Sequence, residues 1–166
     1  MESFVSESSP ACGTCQANRG ELRAPGGIIY DDGLWRLEHA LEPVPLAGWL
    51  VLKPLRHVES MADLTSEEAA AFGPLVARVT AAIEHLLAPA RTYLCLFAEA
   101  DGFAHIHFHL IPRAPDLPRE YHGPRIFEHL RRATMQGQSL ADIREVERIA
   151  WDIRDALGQP DDTALG

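Results

Sequence analysis

Lysine is nearly missing from this chain. Of its 15 basic residues only Lys53 is a lysine, and 24 acidic residues bring the net charge to −9 with histidine neutral. Gripping a nucleic-acid backbone takes many basic contacts, so no stable nucleic-acid partner is expected. Long apolar runs are missing too. No stretch of eighteen apolar residues occurs, so neither a membrane-spanning helix nor a membrane partner is expected. The opening MESFVSESSP is acidic and polar, without the basic start and apolar middle of a secretory signal, and a cytoplasmic location is expected. Cysteine is scarce, with three in the chain, which excludes a disulfide framework. Two of the three form Cys12-Gly13-Thr14-Cys15, the spacing of a metal half-site or a redox pair; Cys95 lies in an apolar run.

What is present suits one globular domain. The chain has 166 residues, 46% of them hydrophobic, enough to bury a core. Strands are expected at IIYD (ending at the Asp32-Gly33 turn), LWRLEHAL, WLVLKP, RTYLCLFAE and AHIHFHLIP. The short AEADGF connection suggests an antiparallel pairing of the last two. A long helix starts at Thr65, which forms a capping box with Glu68. Its apolar stripe is Leu75, Val76, Val79, Ile83, Leu86 and Leu87, and Pro74 inside it predicts a kink or a break. IFEHLRR reads as a short helix. SLADIREVERIAWDIRDAL reads as a second long one, with Ser139 as N-cap and Leu140, Ile143, Val146, Ala150, Ile153 and Leu157 as its stripe. That stripe either packs within the chain or serves an interface. The expected architecture is α+β: an antiparallel sheet of about five strands on one long helix, followed by a C-terminal helical segment. The domain is expected over 11–135 and the C-terminal helix over 136–158, with mobile tails at 1–10 and 159–166.

The chemistry concentrates in AHIHFHLIPR. Side chains on a strand alternate faces, so His105, His107 and His109 share one face while Ile106, Phe108 and Leu110 share the other. A single histidine here would read as a solvated or core residue; three in strict alternation do not. Two readings compete. The row could chelate a metal that activates water, as in a metal-dependent hydrolase. Alternatively one imidazole attacks phosphorus while another donates a hydrogen bond. Cys12 and Cys15 also need two further ligands for a tetrahedral site. His57, just past WLVLKP, and the first histidine of the row would close a Cys2His2 set.

These residues resemble those of the histidine triad (HIT) family of nucleotide hydrolases and transferases. HIHFHLI matches its His-φ-His-φ-His-φ-φ motif, with φ apolar, and AGWLVLKPLRHVESMADLTSEE resembles the strand and helix start that precede it. The resemblance spans roughly 11–113. It implies a HIT-like fold, a small nucleotide substrate, a homodimer, and a structural zinc on Cys12, Cys15, His57 and His105, as in the zinc-bearing bacterial members with a C-x-x-C. It also implies that His107 is the nucleophile that forms a nucleotidyl-histidine at the α-phosphate, with His109 as its phosphate partner. The chain departs from the family where Trp49 replaces a phosphate-facing histidine, and where Ala100, Asp101 and Gly102 replace a Gly-Gln-containing segment. The ribose-binding acid falls near Leu41 and Glu42. Candidate substrate contacts are therefore Trp49, which either stacks on a base or fills core, with Glu42, Gly102 and Arg113. Arg119, His122 and Arg125 are further phosphate candidates. The leading reading is an enzyme, a HIT-type nucleotide hydrolase or nucleotidyl transferase; the departures lend modest support to the alternative, a nucleotide-binding or regulatory protein with little turnover.

Overall fold

The structure, a computed structural model, describes residues 11–159. Of the tails expected at 1–10 and 159–166, residues 1–10 and 160–166 lie outside the described residues, whereas Gln159 accepts a hydrogen bond from the Asp31 N–H at 3.3 Å. The elements are α1 (Gly13–Asn18), β1 (Ile28–Asp31), β2 (Trp35–His39), β3 (Leu50–Pro54), α2 (Ser66–Leu87), β4 (Arg91–Leu96), β5 (Phe108–Arg113), α3 (Phe127–Gln136) and α4 (Ile143–Ala156). Five strands form one antiparallel sheet in the order β1-β2-β3-β5-β4, so the architecture is the expected α+β.

Period-two alternation gives the sheet two different faces. Trp35, Leu37, Leu50, Leu52, Phe108 and Leu110 face the main core, where they meet Leu75, Val79 and Ile83 of α2 and Ile149, Ala150 and Ile153 of α4. The other face carries a smaller apolar cluster of Ala40, Trp49, Ile111 and Ile126, closed by Phe127 and Leu130 of α3. One side of the sheet builds stability, and the other is left partly open for a site.

The capping box forms. Thr65 Oγ1 accepts from the Glu68 N–H at 3.1 Å and the Glu68 carboxylate accepts from the Thr65 N–H at 2.7 Å. Arg56 grips the same carboxylate with two donors, at 3.1 and 2.7 Å, and holds its pKa below the usual range. Pro74 does not break the helix, which is continuous from Ser66 to Leu87. Both Pro74 and Ala70, whose carbonyl loses its helical donor, lie on the exposed side. By length and composition α2 could cross a bilayer, but here it is the helix that covers the main core.

The C-terminal segment differs from expectation at its start. Ser139 is not the N-cap: its Oγ accepts from the Val44 N–H at 2.8 Å and ties the segment to the β2–β3 connection. Asp142 caps α4 instead. Ile149 joins the buried stripe, while Leu140 is exposed. The stripe packs within the chain, against α2 and the sheet. A Cβ on Gly26 would lie 2.4 Å from the Ala150 Cβ, so that position needs glycine for α4 to dock. The Arg154 guanidinium fastens the contact by donating to the carbonyls of Gly26 and Ile28.

Candidate active site

The histidine row is not one uniform strand. Regular pairing begins at Phe108, so His105 and His107 precede the ladder. Ile106 is anchored separately, its N–H donating to the Val58 carbonyl at 2.7 Å. Ile106, Phe108 and Leu110 are buried in the main core, as the alternation requires.

His105 is fully buried and turned toward the cysteines. Its Nδ1 is 3.5 Å from Cys15 Sγ, and His57 Nδ1 is 3.2 Å from the same sulfur. One ligand atom from each of Cys12, Cys15, His57 and His105 lies within 4.8 Å of the others. Zinc with Zn–S and Zn–N bonds of ordinary length spaces tetrahedral ligands roughly 3.3–3.8 Å apart, so the observed S···N separations fit such an ion. His57 Nε2 faces the Glu59 carboxylate at 3.2 Å, the place from which an outer carboxylate would orient a metal-binding imidazole. Burial, and then the neighbouring His57, push His105 down to about 4, so it is held in the neutral form that binds metal. The start of α1 and the loops at 57 and 105 thus meet at one donor set.

His107 and His109 stand apart from that group, their ring centroids 5.0 Å from each other. Hydrogen bonding fixes the roles of their nitrogens. His107 Nδ1 lies 2.9 Å from the His105 carbonyl, which only accepts, so Nδ1 carries the proton and Nε2 keeps a lone pair. The Trp49 indole N–H, which only donates, lies 2.9 Å from His109 Nδ1, so Nδ1 accepts and Nε2 carries the proton. Burial holds both rings below the usual histidine pKa, His109 at about 3 with the neighbouring His107 contributing. The result is a neutral pair with one lone pair and one N–H.

Both rings border a cavity of about 820 Å³ on the open face of the sheet. Around His109 its wall is aromatic: Phe127 packs edge-on against His109, Trp49 and Phe97, with centroids 5.4, 5.1 and 5.0 Å away. On the far side are Thr14 and Ala17 of α1, with Glu38 and Lys53. The expected contacts divide. Glu42 borders the cavity. Trp49 has no exposed surface and so does not stack on a base; it fills core and orients His109. Gly102 is turned away, its carbonyl accepting from the Gly13 N–H at 2.7 Å. Arg113 is not in the wall: its guanidinium lies 3.3 Å from His122 Nε2, outside the cavity. Arg119, His122 and Arg125 are also outside the wall. Sequence reasoning missed Lys53, Glu38 and Phe127. For the first two a signal existed, because alternation opposite Trp35, Leu37, Leu50 and Leu52 puts them on the open face.

His39 braces the connection that delivers Trp49. Its Nδ1–H donates to the Ala40 carbonyl at 3.3 Å and its Nε2 accepts from the Gly48 N–H at 2.9 Å. Burial lowers its pKa to about 4, whereas unfolded it would titrate near 6.5. The folded state resists protonation, so this stability is complete above pH 6.5 and is lost as the pH falls toward 4. The loss amounts to about 3 kcal/mol. Denaturant melts across that interval are expected to show the decline, and a His39→Gln variant, which does not titrate, a shallower one.

The HIT domain family matches residues 21–116, more than half of the chain, and the chain belongs to that family. A zinc-bound histidine triad family protein from Mycobacterium smegmatis superposes with TM-score 0.62 at 18% identity, over 89% of this chain and 93% of that one. A histidine triad nucleotide-binding protein from Sulfolobus tokodaii gives TM-score 0.63 at 18% identity, over 89% and 92%. A Hit-like protein involved in cell-cycle regulation from Bartonella henselae gives 0.60 at 17% identity, over 90% and 98%. Such identities establish a shared fold. No curated protein sequence matches the chain. Family membership supports a nucleotide-binding or nucleotide-hydrolysing function in general terms.

Proposed function

We propose that the protein is a HIT-type nucleotide hydrolase or nucleotidyl transferase acting at the α-phosphate, through a covalent nucleotidyl-histidine on His107. The observation that carries this reading is the complementary tautomer pair: a lone pair on His107 Nε2 and a proton on His109 Nε2, side by side at one cavity. His107 Nε2 attacks the α-phosphorus, a P–N bond forms, and the bond to the leaving group breaks. His109 Nε2–H donates to the phosphoryl oxygens as their charge grows. Water then cleaves the P–N bond, releasing a nucleoside monophosphate and restoring His107. The second reading, a metal ion held by all three histidines, is disfavoured because His105 turns to the cysteines.

Cys12, Cys15, His57 and His105 would hold a structural zinc, which pins α1 and the start of the histidine motif together and takes no part in phosphorus chemistry. A homodimer is also part of the proposal: β4 is a sheet edge, and Leu94 on it and Leu86 on α2 are exposed.

Turnover of a panel of nucleoside phosphoramidates and dinucleoside polyphosphates by zinc-loaded protein tests the reading. Trp49→Phe keeps an aromatic ring but removes the donor that fixes His109. Its kcat is expected to fall about 10- to 100-fold with KM little changed. No product from any member of the panel would leave the low-turnover binding reading in its place.

A further inference from the structure

Lys53 and Glu38 form an ion pair on the floor of the cavity, each only 4% exposed. Burying two charges costs several kcal/mol per ion, and well-packed apolar residues of similar volume usually serve a fold as well or better. The fold gives no reason for the pair, since Val51, Ala40 and Leu41 on the same side of the cavity are apolar.

The register places it relative to the histidines. Glu38 lies opposite Val51, and Val51 opposite His109. Two strand spacings, roughly 10 Å, therefore separate Glu38 from His109 across the sheet. Lys53, one residue past the Leu52–Phe108 pairing, comes beside His107 on the neighbouring strand, but its ammonium is turned to Glu38 on β2, so the pair lies between the histidines and what sits over β2. Chemistry narrows the ligand group further. An ammonium offers three donors and a carboxylate only acceptors. Among the described residues the two have no hydrogen-bond partner but each other. A phosphate would satisfy Lys53 but meet the negative charge of Glu38. A neutral group with a donor and an acceptor side by side satisfies both.

Resting on the nucleotide reading above, we infer that Lys53 and Glu38 read the hydrogen-bonding edge of the nucleobase and set base specificity. With phosphorus at His107, the base extends over β3 and β2 toward α1, its acceptor on the ammonium and its N–H on the carboxylate. A base lacking these groups leaves both charges buried without a ligand partner, which is the arrangement that rejects analogues most strongly.

The test is calorimetric binding of the adenine, guanine, cytosine and uracil nucleoside 5′-monophosphates, and of unsubstituted purine riboside 5′-monophosphate, to zinc-loaded protein. It requires no turnover. The preferred natural base is expected to bind at least roughly 10-fold more tightly than unsubstituted purine. In Lys53→Met/Glu38→Leu the preference is expected to fall to within about twofold, with a melting temperature no lower than that of the parent. If the double variant fails to fold, the isosteric Glu38→Gln is expected to change which base is preferred. Equal binding of all five by the parent, or a preference unchanged in the variants, would overturn the inference and leave the nucleotide reading standing. No binding of any nucleotide by the parent would overturn both.

Discussion

Replacing His107 with alanine is expected to remove nucleotide turnover by at least about a thousandfold, the scale of losing a covalent nucleophile from a site that keeps its other groups. No other group in the cavity wall matches its placement. His109 is the nearest imidazole, but its Nδ1 accepts from Trp49, so its Nε2 carries a proton and has no lone pair to offer. His105 is buried against the cysteines. The variant should fold, because the His107 ring borders the cavity and its hydrogen bond goes to the carbonyl of His105, two residues away in sequence. Steady-state release of nucleoside monophosphate measures the first half of this expectation and a thermal melt the second. The His107→Ala melt is expected within a few degrees of the parent.

Cys15→Ser is expected to behave in the opposite way, losing zinc and stability together. Cys15 is 2% exposed and its sulfur is the one both imidazoles approach. Structural zinc sites contribute on the order of 10 kcal/mol of apparent binding energy, comparable with the whole stability of an ordinary domain. Here the site ties residues 12–15, 57 and 105 together, and Gly13 also packs against the Phe103 ring of the loop leading into the motif. Metal analysis is expected to fall from one zinc per chain to none, with a melting temperature lower by at least about 10 °C. Zinc retained in Cys12→Ser/Cys15→Ser but lost in His107→Ala would instead assign the ion to the histidine row.

Much of this was legible in the sequence because short-range rules govern it. The capping box at Thr65 and Glu68 is a contact between residues three apart, and it forms. Ile106, Phe108 and Leu110 reach the core because strand alternation is local. That Cys12, Cys15, His57 and His105 come together was legible for a different reason: a C-x-x-C pair leaves two places in a tetrahedral set, which only a few residue types fill. What failed depended on distant partners. Ser139 looks like an N-cap until Val44, 95 residues away, takes its hydroxyl. Trp49 reads equally as a stacking platform or as core until the sheet places it under His109 and α3 brings Phe127 over it. Arg113 follows the triad directly, yet the strand end directs its guanidinium to His122 and away from the cavity. The Lys53–Glu38 pair joins two strands through their register, which neither strand displays alone.

The central claim is a bond between His107 and phosphorus. It is tested most directly by intact-mass spectrometry of zinc-loaded protein quenched at neutral pH during turnover of a nucleoside phosphoramidate, followed by peptide mapping. One added nucleotidyl group is expected, located on the peptide containing residues 104–113 and absent from His107→Ala. Product release with no adduct at any time, or an adduct that persists in His107→Ala, would contradict it.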